Sequence, residues 1–88
     1  MKPLNYAILE YFTQVDEAST DEVMAALKGQ YSHFKAFKKK DILNALMTAE
    51  ANCLLEESRF ELDSDNQLKV YFRAPAEGAA TINKYIKD

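Results

Sequence analysis

The sequence predicts a small α+β domain with a three-helix core, a two-stranded antiparallel β-hairpin and a C-terminal helix. Three observations lead there. Apolar residues recur at helical spacing in three segments before residue 53, and the period then drops to two between residues 54 and 72. A chain of 88 residues has no room for a second core, so all of this belongs to one domain, residues 1–88.

The first helix, about residues 3–15, follows from Leu4, Ile8, Tyr11, Phe12 and Val15, one stripe of a 3.6-residue period, with Pro3 suited to its first turn. The run "DEAST" breaks that pattern. Ser19, followed three residues later by Glu22, has capping-box spacing for a second helix over about 20–31, with Thr20 as a competing cap. Extending the third helix backward from Ile42 would put Lys35 and Lys39 on the apolar face made by Ile42, Leu46, Ala49 and Cys53. It is therefore expected to span about 38–51, with Asn52 as a left-handed stop and Cys53 as a small core residue.

The hairpin, about 54–74, rests on apolar residues at even positions in two runs, Leu54, Phe60 and Leu62 and then Leu68, Val70 and Phe72, around the turn-forming "DSDNQ". Setting Leu62 opposite Leu68 places Phe60 against Val70, Glu61 against Lys69 and Glu57 against Arg73, with apolar pairs on one face and opposite charges on the other. Pro75 ends the second strand. A terminal helix, about 76–87, presents Ala79, Ile82, Tyr85 and Ile86 on one side.

The stretch "ILNALMTAEANCLLEE" running into a hairpin resembles the recognition-helix and wing segment of winged helix-turn-helix proteins, and "ASTDEVMAAL" is similar to the helix before it. The resemblance covers about residues 4–74. Cys53 stands where that family often has Gly, and the long aromatic connection "GQYSHFKAF" replaces the usual short one. It implies a transcriptional regulator that contacts duplex DNA through the third helix. It also implies a homodimer through the C-terminal helix, although that apolar stripe has the competing use of packing on the first helix.

Charge distribution bears on the same point. The net charge is −3, but Lys28, Lys35, Lys38, Lys39 and Lys40 follow one another with no acid between them. In helix-turn-helix docking the start of the second motif helix meets base edges and nearby basic residues neutralise phosphates. Lys35, Lys38, Lys39 and Lys40 are the phosphate candidates, with Asn44 and Thr48 as the base-facing positions, since an Asn amide both donates and accepts. The bland reading of the lysines is a solvated helix start. Glu56, Glu57, Glu61, Asp63 and Asp65 argue against a wing that enters a groove. The alternative function is a winged-helix module that binds a protein partner, through the acidic hairpin or the aromatic connection, and no nucleic acid.

Other chemistry finds little support. One cysteine makes neither an internal disulfide nor a Cys-based metal site, and Asp63 with Asp65 lack the Gly-centred loop and distal Glu of a calcium site. His33 and Cys53 are the only residues suggestive of nucleophilic catalysis, and no phosphate loop or nucleophile elbow accompanies them. No enzyme activity, metal or cofactor is expected. The absence of a long apolar run or a signal-peptide pattern makes a cytoplasmic protein without membrane contact the default expectation.

Overall fold

The computed structural model describes residues 2–86. Four helices and a three-stranded antiparallel sheet follow the order α1 (Leu4–Tyr11), β1 (Ala18–Ser19), α2 (Thr20–Tyr31), α3 (Lys39–Ala51), β2 (Glu56–Leu62), β3 (Leu68–Arg73) and α4 (Ala76–Tyr85). The core gathers Leu4, Ile8 and Phe12 from the first segment, Val23 and Tyr31 from α2, Ile42, Leu46 and Ala49 from α3, and Leu55 and Phe72 from the hairpin. No helix among the described residues is long and apolar enough to cross a membrane.

The first helix stops at Tyr11 rather than near residue 15. Phe12, Thr13 and Gln14 instead donate to the carbonyls three residues back, the tighter spacing of a 3₁₀ turn, and this still buries Phe12. That tightening lets Ala18 and Ser19 turn back along β3 as a third strand, opposite Phe72 and Tyr71. The sheet order is β1-β3-β2, so the expected two-stranded hairpin is in fact the outer part of a three-stranded sheet. Ser19 also starts α2. Its hydroxyl accepts from the Glu22 N–H at 3.3 Å, and the Glu22 carboxylate accepts from the Ser19 N–H at 2.9 Å, a complete capping box.

The end of α3 differs from expectation in one residue that matters. Asn52 keeps a negative φ, and it is Cys53 that adopts φ 63°, with its side chain exposed rather than in the core. The Cys53 N–H bonds to the Glu50 carbonyl at 3.0 Å and the Leu54 N–H to the Ala49 carbonyl at 2.9 Å, which is a Schellman stop with cysteine in the glycine position.

The outer half of the hairpin pairs as expected: Leu62 with Leu68, Glu61 with Lys69 and Phe60 with Val70. A bulge then intervenes between Glu57 and Arg59, so Glu57 lies opposite Phe72 and it is Glu56 that meets Arg73, at 2.8 Å. Opposed residues share a sheet face, so the bulge moves Glu57 onto the same face as Phe60, Val70 and Phe72.

α4 lies against α1 and the α3–β2 junction, burying Ile82 and Ile86. Tyr85 departs from the expected apolar stripe and stands 72% exposed. The expected last residue of this helix, position 87, lies outside the described residues.

Candidate nucleic-acid interface

The connection before α3 is anchored by its rings. Tyr31 is buried and its hydroxyl donates to the Lys2 carbonyl at 2.6 Å, Phe34 meets the Tyr31 ring edge-on at 5.0 Å, and His33 in turn packs on Phe34 at 4.8 Å. Phe34 and Phe37 are half-buried against the core. These aromatics close the core between α2 and α3 instead of forming an open patch, and they leave Lys35 exposed between them.

Lys38 is the N-cap of α3, in extended conformation with no capping side chain, and Lys39 and Lys40 are the first helical residues. Asp41 in that first turn offsets the unfavourable placement of lysines at a positive helix end. Because Ile42, Leu46 and Ala49 face inward, the 3.6-residue period turns Lys40, Asn44 and Ala51 directly outward, with Met47 and Thr48 to either side of them. Lys40 and Asn44 are exposed one helical turn apart.

All six candidate residues are exposed, though not all on one side of the helix. Lys40 and Asn44 are exposed on the outer side of α3, Lys38 is exposed at its N-cap, and Lys35 is exposed in the connection before it. Lys39 turns to the flank facing α2 and the hairpin, where its Nζ is 3.2 Å from the Asp21 carboxylate. Thr48 is exposed one turn beyond Asn44, toward the flank that faces α1. With Asp41, Asn44 and Asn52 it lines a groove of about 360 Å³ against Asn5, Ile8 and Leu9. Among the described residues Lys28, Lys35, Lys38 and Lys40 make no ion pair.

The hairpin adds a charge cluster that sequence reasoning missed. Glu17, just before β1, accepts from Arg59 Nε at 2.7 Å and from the Ser58 hydroxyl at 2.8 Å. Arg59 also bonds Glu61, and its guanidinium lies 3.8 Å over the ring of Tyr71, whose hydroxyl donates to Glu61 at 3.2 Å. The Arg59 hydrogen bond, aided by Ser58, holds the Glu17 carboxyl below its ordinary range, and Arg59 does the same to Glu61. Arg59 itself is held more firmly protonated by these two acids. No signal in the sequence links Glu17 to residues some forty positions away. In the turn, Asp63 accepts from the backbone N–H groups of Gln67 and Asp65, both at 2.9 Å, which lower its pKa. Asp63 is therefore a turn-forming residue.

The inner face of the hairpin's outer half is apolar and open: Phe60, Leu62 and Leu68 are 57, 67 and 63% exposed. Met47 of α3 is exposed as well. Among the described residues no group of three or more His, Cys, Asp or Glu side chains is placed to hold a metal ion. No protein-family model matches the chain, and no curated protein matches it significantly.

Proposed function

We propose that this is a winged-helix-type module that binds duplex DNA through α3 and serves as a transcriptional regulator. The observation that carries the reading is the approach to α3 and its first turn, where Lys35, Lys38 and Lys40 are exposed without an ion pair among the described residues and Asn44 is exposed one turn beyond Lys40. Three packed helices with a hairpin following the third suit a docking in which α3 enters the major groove. The lysines neutralise phosphates and Asn44 reads a base edge, an adenine being its best partner. Lys39 contributes less, because Asp21 already balances it. Thr48 stands at the margin of the contact, beside the α1 groove.

The test is duplex binding by fluorescence anisotropy across a salt series. Each phosphate contact contributes a slope of about −0.9 in log K against log salt, so changing Lys35, Lys38 and Lys40 together to Glu flattens the slope by at least about 2. Lys39→Glu changes it less. Absence of binding at low salt, or an unchanged slope in the triple variant, overturns the reading.

A second reading, a protein-binding module without nucleic-acid activity, is favoured by the open apolar face of Phe60, Leu62 and Leu68 with Glu57 on the same side. Under it the wild type binds no duplex at any salt.

A further inference from the structure

Among the described residues β2 has β3 on one side and no strand on the other. An open edge presents a row of unpaired N–H and C=O groups, and natural proteins blunt such edges with charged side chains, Lys above all, with Pro or with a bulge. The charges of residues 59–62, however, Arg59 and Glu61, are opposite in sign and can pair across a seam. Residues 59–62 contain no Lys and no Pro, and the bulge lies behind them at Ser58. The Asp63 N–H points inward to the Gln67 carbonyl, at 3.0 Å. Peptide groups alternate sides along a strand, so those of Phe60 and Leu62 face the open edge.

We propose that β2 pairs antiparallel with β2 of a second copy of this chain, about a two-fold axis at Phe60, making one six-stranded sheet. The charges select that register. Centring on Phe60 sets Arg59 against Glu61 of the second copy, and the symmetry repeats the pair. Centring on Arg59 would instead set that residue against itself and Glu57 against Glu61. Centring between two residues would place side chains of opposite faces against each other.

In the chosen register the inner face gains a continuous apolar row, Val70 and Phe60 of one copy followed by Phe60 and Val70 of the other, flanked by Leu62 and Leu68. On the outer face Lys69, Glu61, the second copy's Arg59 and its Tyr71 form a row in which each acid lies between cations. Arg59 has capacity for this, since its Nη2 makes no hydrogen bond to any described residue. The pairing sets the two exposed Phe60 rings side by side at the seam and covers the flank of each. It uses no residue of α3, so it stands or falls separately from duplex binding.

Sedimentation velocity on the full chain, over about 1 µM to 1 mM, tests it. A short edge-to-edge interface is expected to give a reversible dimer with a midpoint on the order of tens of micromolar. Phe60→Lys, at an exposed site, should weaken it at least about tenfold while keeping the wild-type melting profile. Arg59→Glu and Glu61→Arg should each be monomeric alone, and their equimolar mixture should dimerise, because both cross-pairs then become attractive. Tyr85→Lys, on exposed α4, should change nothing. A monomer at every concentration, a dimer indifferent to Phe60→Lys, a dimer lost on Tyr85→Lys, or a mixture that stays monomeric although both variants melt like the wild type overturns the proposal.

Discussion

A side-chain carbon at Gly78 would stand 2.3 Å from the carbonyl oxygen of Leu54 and 2.9 Å from its carbon. The first turn of α4 rests directly on the backbone where α3 gives way to β2, and only hydrogen fits between them. Gly78→Ala must push two backbones apart, an overpacking cost of about 1 to 3 kcal/mol in urea unfolding. Gly29 is the internal contrast: a Cβ there meets nothing within 4 Å. Gly29→Ala should stabilise α2 by about 0.5 to 1 kcal/mol, so the two replacements move the unfolding midpoint in opposite directions.

Cys53 holds φ 63° without being glycine. A left-handed conformation costs a residue with a Cβ roughly 1 kcal/mol that glycine does not incur. Cys53→Gly should therefore raise the thermal midpoint, and Cys53→Ala should leave it within error of the wild type. The thiol is exposed, so a thiol reagent should modify it in the native state at a rate independent of added urea below the transition.

Acid stability follows from Glu17, Glu61 and Asp63. Their carboxyls are held below the ordinary range, first by Arg59 for the two glutamates and by backbone N–H groups for Asp63. Groups with lowered folded-state pKa values stabilise the fold above their unfolded values, about 4, and lose that contribution as pH falls through the folded ones. Urea midpoints should stay level from pH 7 to about 5 and decline below about 4. Glu17→Gln should lower the plateau and make the acid decline shallower.

Tyr31 ties α2 to the start of the chain through its hydroxyl and the Lys2 carbonyl. Tyr31→Phe keeps the buried ring and removes only that bond, so the expected loss is about 0.5 to 1.5 kcal/mol in equilibrium unfolding. Tyr31→Ala, which also empties core volume, should cost about 3 to 5 kcal/mol.

What could be read beforehand was what depends on near neighbours in the chain. Ser19 with Glu22 marks the start of α2, and the apolar spacing of Ile42, Leu46 and Ala49 orients α3. The pairs from Leu62–Leu68 to Phe60–Val70 follow from alternation either side of a tight turn. What escaped depends on distant partners or on single residues. β1 is two residues long, too short for any period to register, and Glu17 reaches Arg59 only once β1 lies beside β3. The ion pair of Lys39 with Asp21 and the α1 groove beside Asn44 and Thr48 depend on other elements, which the helical period of α3 does not contain. The bulge was invisible because unbroken alternation also brings an acid, Glu57, opposite Arg73.

Ser58 has a further consequence. It stands between the partners of Tyr71 and Phe72 and has no partner of its own, so its removal leaves all six β2–β3 pairs with the residues they now have. Losing one residue from a strand ordinarily inverts the orientation of everything on one side of the cut. Here the ladder would close over the gap, giving up only the local bend and the hydroxyl bond to Glu17. The domain carries a spare residue at that point, and β2 can tolerate there a shortening that its other positions cannot.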